Sequence, residues 1–232
     1  MHAKDFWTIV SAFVVATFAL GQIVAGAQPD VQSPRSASPD AQKASLGPGD
    51  INVGASRVYI FVDKTGFGHQ HAVAGRIREG NLRIAGRSAG RIVFDLRSFI
   101  ADTPEARRYI GLKGEMDGKT QQDVTANMLA ADVLDVSRFP TATFDVDSLQ
   151  PIEARGGSGK VQYRVDGEFK LHGAKRPLRF VADGIQERGY LHLKGSFRLR
   201  QTEYRIRPFQ KALGAVGVAD VLTVYGDIWI KQ

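Results

Sequence analysis

From Val58 to Ile230, outside residues 99–140, apolar side chains recur in runs at every second position, and that period fixes what the chain can fold into. Val58, Ile60 and Val62 share one face; Val73 and Ile77 continue it, and Leu82 and Ile84 follow a turn expected at Gly80-Asn81. Ile92, Phe94 and Leu96 alternate with Arg91, Asp95 and Arg97, and Phe144 and Val146 with Thr143, Asp145 and Asp147. Val161, Tyr163, Val165, Phe169 and Leu171 oppose Gln162, Arg164, Asp166, Glu168 and Lys170. Leu178 and Phe180, then Leu191, Leu193, Phe197 and Leu199, and finally Leu222, Val224, Ile228 and Ile230 complete the series. Side chains of a strand alternate between its faces, so each segment has one wet and one dry side, the signature of antiparallel sheet. About eight such strands with short turns predict an all-β, antiparallel, up-and-down barrel, since closure removes unpaired edges. Eight strands enclose a lumen that is filled by side chains or holds one small ligand.

The period changes between Phe99 and Pro140. Asp102-Thr103-Pro104-Glu105 reads as a helix start, a capping side chain followed by proline in the first turn. Ala106, Tyr109 and Ile110 give that helix a short apolar stripe ending at Gly111, and a second helix is expected from about Thr120 to Ala131 with Val124 and Met128 on one side. This helical insertion, about residues 100–140, is expected to cover one end of the barrel, where a lid would sit, or to flank its wall.

The first 27 residues have the order of a cleaved secretory signal: Lys4 in a polar start, an apolar run from Ile9 to Leu20, then Ala25-Gly26-Ala27. Phe6–Ala27 is long enough to span a bilayer, but no basic stop-transfer cluster follows it. Residues 28–50 hold four of the nine prolines and no aromatic residue, too little apolar surface to offset the entropy of ordering, and read as a disordered leader. The barrel domain then occupies 51–232. Export to the periplasm or beyond removes nucleic acid as a partner despite 31 Lys+Arg against 24 Asp+Glu; an anionic ligand or membrane surface suits that balance instead. The absence of cysteine excludes disulfides, thiolate metal sites and cysteine nucleophiles.

Four stretches carry a family likeness in order and spacing. They are Ser56-Arg57-Val58 with the alternation from Gly66 to Gly75; Leu134-Asp135-Val136-Ser137-Arg138-Phe139-Pro140-Thr141-Ala142-Thr143-Phe144; Gly167-Glu168-Phe169-Lys170-Leu171-His172-Gly173 through Leu178; and Phe197 to Ile206 with Val218-Ala219-Asp220-Val221-Leu222. Residues 51–232 resemble the YceI-like family, exported lipocalin-like barrels that bind polyisoprenoid or related amphipathic lipids. Two features depart from its pattern: the usual Asp and His-Ser lead-in is absent, and Lys64 stands near the place of the first hairpin's histidine. The resemblance implies a fold and a ligand class, no catalytic residue and no cofactor.

On this reading the lumen candidates are Ile92, Phe94, Phe144, Tyr163, Phe169, Phe180, Phe197 and Val224. Each buried methylene of a tail contributes about 0.8 kcal/mol, so tail burial alone could retain a lipid. The same residues would also serve as a filled core, which leaves a stress-linked or interaction module as an alternative. His69-Gln70-His71 offers another. In a strand both imidazoles would point one way and, with His172 or a carboxylate, could ligate a metal for an enzyme; equally, they could hydrogen-bond a lipid headgroup at the barrel mouth. No metal is assigned. His192 is expected to be exposed. Ala154-Arg155-Gly156-Gly157-Ser158-Gly159-Lys160 mimics a phosphate loop, but Val161 stands where Ser or Thr belongs and a strand follows, so it reads as a hairpin loop. The basic pairs Arg107-Arg108 and Lys175-Arg176 could meet phospholipid or diphosphate. No carboxylate pair, GxSxG elbow or Ser-His-Asp pattern marks an enzyme.

Overall fold

Alternating strands become a barrel when the last one meets the first. The structure, a computed structural model, describes residues 45–152 and 161–232. Strands β1 (Arg57–Gly66), β2 (His71–Leu82), β3 (Gly90–Ala101), β4 (Thr141–Ile152), β5 (Val161–Leu171), β6 (Ala174–Glu187) and β7 (Tyr190–Arg200) pair each with the next, all antiparallel. A two-residue strand, β8 (Gln210–Lys211), lies beside the start of the long β9 (Val216–Lys231). β9 pairs with β7 from Tyr190 opposite Lys231 to Arg200 opposite Val221, and with β1 from Arg57 opposite Asp227 to Gly66 opposite Val216. That last pairing closes an eight-stranded up-and-down barrel.

Turn chemistry sets the connections. His172 and Gly173, both in the left-handed region (φ 48° and 76°), make the two-residue link from β5 to β6, the form whose twist matches a hairpin. The turn expected at Gly80-Asn81 is instead strand: β2 runs on to Leu82, and Ile84 lies exposed in the connection to β3. The cause is the lead-in segment. Its backbone bonds on both sides, with the Ile51 N–H donating to the Gly80 carbonyl (3.0 Å) and the Lys231 N–H to the Asp50 carbonyl (2.8 Å). A side chain at Gly80 would stand 2.6 Å from Ile51 Cδ1, so glycine there admits Ile51 beneath the strand. Gly49 and Asp50, assigned by composition to the leader, thus belong to the barrel's hydrogen-bond network. Residues 1–27, expected as a signal, and 28–44 of the expected leader lie outside the described residues, as does the loop 153–160 with its phosphate-loop likeness.

The lead-in also seals one end. Ile51, Leu149, Leu191 and Ile230 are the largest apolar side chains wholly buried, and all sit where β4 and β9 end and β7 begins. At the opposite end the insertion divides in two. Helix α1 (Pro104–Ile110) is capped by the Thr103 hydroxyl, which accepts from the Ala106 N–H, and stops at left-handed Gly111. It packs on the outer wall: Ala106 joins Tyr59 and Ala72, and Tyr109 stacks on Tyr59 with ring centroids 3.9 Å apart. Helix α2 (Gly118–Leu129), capped by Asp117, turns Val124 and Met128 to the barrel opening. The insertion does both things expected of it: its first helix flanks the wall, and only its second lies over the lumen. Among the described residues no helix is long and apolar enough to cross a membrane.

Candidate functional site

The inward faces of the strands do not fill the barrel. Below α2 lies a cavity of about 170 Å³, and deeper toward the sealed end a second of about 60 Å³. Aliphatic and aromatic side chains line both, as period-2 strands dictate when every dry face turns inward. Phe94, Phe197, Val58 and Val224 border both cavities and form the partition between them. Aromatic rings stiffen that partition. Phe169 meets Phe94, Phe197 and Tyr204 edge to face at 5.8–6.1 Å, and Phe180 tilts against Phe197 at 5.4 Å, within the range where aromatic pairs attract.

The sequence-derived lumen residues divide accordingly. Phe94, Phe197 and Val224 border both spaces, Phe169 only the upper, and Ile92, Phe144 and Phe180 only the lower. Tyr163 borders neither. It is buried with its ring against Gly184, where any side chain would collide with it at 2.3 Å, in the packed half of the barrel.

Three polar side chains reach the upper cavity, all near its mouth: His71, Asn127 and Gln201. Gln201 is fixed by its amide donating to the Ala219 carbonyl (2.8 Å). His71 is held by a buried network that sequence reasoning missed. Its Nδ1 lies 2.6 Å from Asp102 Oδ2, while the other oxygen, Oδ1, accepts from the Ala72 N–H (3.1 Å) and from Arg107 Nη1 (2.8 Å). Because an ionised carboxylate only accepts, Nδ1 carries the proton toward Asp102, and Nε2 makes no hydrogen bond among the described residues. Burial pushes the Asp102 carboxyl upward, but the hydrogen bonds from His71, Ala72 and Arg107 and the His71 charge outweigh it and hold the carboxyl below its ordinary value. Arg107 is tied further by the Gly114 and Lys113 carbonyls. Arg107 is therefore an internal support, not half of a surface phosphate site. Lys175 pairs with Glu168 on the outer wall. Asp102 lies thirty-one residues from His71; the only local hint was its place between a strand and a helix start.

The histidine pair separates. His71 opens β2, but His69 precedes the strand in an exposed loop, so the two-residue spacing does not bring the imidazoles to one face. His172 sits in the β5–β6 turn, its Nδ1 at 3.2 Å from the Tyr204 carbonyl and its ring on Phe139. Among the described residues no three His, Asp or Glu side chains converge for a metal. His192, expected to be exposed, is largely covered: it stacks on Trp229 at 3.7 Å and lies 2.6 Å from Asp227 Oδ1 on the outer wall.

In the stretch from Leu134 to Phe144, Leu134 and Ala142 border the upper cavity and Phe144 the lower, while the polar residues shape the turn. Asp135, buried in a left-handed turn, accepts from Ser137 Oγ (2.7 Å) and from the Arg138 amide through its carbonyl (3.0 Å), aiming the chain into β4. Thr202 donates from its amide and hydroxyl to Asp220, both at 2.9 Å, pinning the short 3₁₀ turn Gln201–Tyr204 to β9.

A closed eight-stranded meander around an apolar lumen with a polar mouth is a lipocalin-like barrel. The YceI-like domain model matches residues 50–228, and the chain belongs to the YceI-like family. Among solved structures it is similar to a polyisoprenoid-binding domain from Saccharophagus degradans implicated in plant cell wall breakdown. That likeness has 11% identity and TM-score 0.55, covering 80% of this chain and 99% of that one. It is also similar to BcnA of Burkholderia cenocepacia, with 14% identity and TM-score 0.52, covering 78% of this chain and 100% of that one. No curated protein matches the sequence.

Proposed function

We propose that the protein is an exported, non-catalytic carrier or store for a polyisoprenoid or similar amphipathic lipid. The tail lies in the upper cavity and the polar group meets His71, Asn127 and Gln201. The observation that carries this reading is the pairing of an apolar void with polar side chains gathered at its mouth alone. The polyisoprenoid-binding domain from Saccharophagus degradans, of the same fold, supports the ligand class. The signal-like start supports export.

Size sets the mode of binding. An apolar cavity of about 150 Å³ takes one benzene ring, so the upper cavity of about 170 Å³ takes the end of a tail rather than its whole length. Six buried carbons contribute about 5 kcal/mol before association costs. A longer chain enters only if the aromatic partition moves and joins the lower space. His69 lies outside this site, and the metal-enzyme alternative lacks a ligand set among the described residues. An interaction module with a filled interior does not account for the void.

The test is native mass spectrometry of protein recovered from its own host, followed by solvent extraction. One equivalent of an amphipathic lipid, or uptake of an added short prenyl alcohol by stripped protein, is expected. Only empty protein in both arms would remove the carrier reading.

A further inference from the structure

Two large apolar side chains stand in water at the mouth of the barrel. Phe67, at the tip of the β1–β2 hairpin, is 85% exposed, and Leu213, in the turn between β8 and β9, is fully exposed. Their turns are neighbours: the Phe67 N–H donates to the Ala215 carbonyl at 2.9 Å, and Gly66 pairs with Val216. The second turn holds two successive non-glycine residues, Ala212 and Leu213, in the left-handed region (φ 50° and 55°), a conformation disfavoured for both. A single exposed apolar residue needs no explanation. Two on adjoining turns, each almost free of protein contact, contribute nothing to this barrel's core.

Charge singles out the same rim. Segments 64–70 and 205–216 contain Lys64, Arg205, Arg207 and Lys211 against one neighbouring carboxylate, Asp63, which accepts from the Lys64 N–H and the Gln70 amide. None of the four makes an ion pair among the described residues, whereas on the wall Arg91, Lys175 and Arg179 are paired with Asp145, Glu168 and Asp166. The rim is also continuous with the lumen. Lys211 Nζ lies 5.5 Å from the ring of Phe209, which borders the upper cavity, as does Val218, paired with Lys64.

We propose that this rim docks on an anionic phospholipid bilayer, with Phe67 and Leu213 entering the boundary between headgroups and acyl chains and the four basic side chains meeting the phosphates. Apolar prongs inside a basic collar are what such a surface binds. A second copy of the chain fits less well, because two unpaired basic rims repel. The inference rests on the carrier reading above and adds where loading takes place: with the mouth against the bilayer, a tail passes into the barrel without crossing water.

Vesicle flotation of the protein without residues 1–27 tests it, using phosphatidylcholine alone and phosphatidylcholine mixed with phosphatidylglycerol. Binding to the mixed vesicles is expected, weakened by salt, and reduced about tenfold or more in a Phe67→Ser/Leu213→Ser variant. The chain has no cysteine, so Leu213→Cys carries a single environment-sensitive dye. That dye is expected to shift to the blue on vesicle addition and to be quenched by brominated acyl chains, while the same dye on Ile185→Cys, exposed on the wall, is unaffected. Absence of vesicle binding, or binding that survives the double substitution with a wet dye at position 213, overturns the proposal. So does self-association without vesicles that the double substitution abolishes, which would assign the prongs to a second copy. A short prenyl alcohol free in solution keeps the two readings apart. Its uptake by the double variant at the wild-type level, with vesicle binding lost, supports docking as a separate function. Uptake without any vesicle binding by the wild type overturns docking alone, and vesicle binding without uptake leaves docking standing while removing the carrier.

Discussion

The two ends of this barrel are made from the same eight strands and do opposite things. At one end Ile51, Leu149, Leu191 and Ile230 meet with no more than 2% of any of them exposed. At the other α2 lies across the opening, and His71, Asn127 and Gln201 join the aliphatic and aromatic side chains around a void. Period-2 patterning specifies both, since it says only that a face is dry. What divides them is the chain beyond the strands: a lead-in segment that pairs into the sealed end, and a helix that merely leans over the mouth. A barrel's lumen is thus decided by its caps.

The difference can be broken or sharpened by substitution. Leu191→Ala, in the sealed end, is expected to cost about 4 kcal/mol because it leaves a cavity in a close-packed region. Leu222→Ala, which already faces the void, should cost about 1 kcal/mol on the same reasoning. Urea unfolding of both variants decides; equal losses would show that the ends are packed alike. Asp102→Ala strands Arg107 and frees His71 and should cost about 3 kcal/mol. The folded carboxyl lies below its ordinary value of 3.8. The stabilisation is therefore complete above that pH and lost as pH falls through the lower folded value. Asp102→Asn should flatten that part of the acid unfolding curve, and an unchanged curve would remove Asp102 from the network.

Phe197→Ala should join the two cavities. Its ring is already relieved of contact on two sides, so the stability loss is about 2 kcal/mol, below that of a fully packed Phe. Preference among prenyl alcohols should move toward longer chains, read by competition in native mass spectrometry, and an unmoved preference would mean that the partition does not set length. Thr103→Ala removes the α1 cap and should cost about 1 kcal/mol in thermal unfolding, with lumen binding retained since α1 packs outside. Smallest of all, Lys175→Gln breaks an exposed pair with Glu168 on the wall and should change stability by less than about 0.5 kcal/mol.

The strands were legible because alternation is a local property, readable from neighbours such as Val161 to Leu171. So were both helices, marked by Thr103-Pro104 and by the stripe of Val124 and Met128. Misplacement of the Gly80-Asn81 turn has a tertiary cause: glycine there serves Ile51, twenty-nine residues earlier in the chain, and no local rule distinguishes a turn glycine from one that admits a neighbour. His71 was found for its type, but its partner Asp102 was not, because a hydrogen bond between a strand start and a helix entrance leaves no spacing to read. The aromatic partition lay hidden for the same reason. Alternation named Phe94 and Phe197, but only the register of β3 and β7 sets them at the height where they divide the lumen. The exposure of Phe67 and Leu213 has no sequence signal, since apolar residues in turns are usually covered.

The lead-in bridge between β2 and β9 makes the barrel a cul-de-sac. On the carrier reading proposed above, a ligand that goes in tail first must back out head first, and its release depends on what waits outside that one opening.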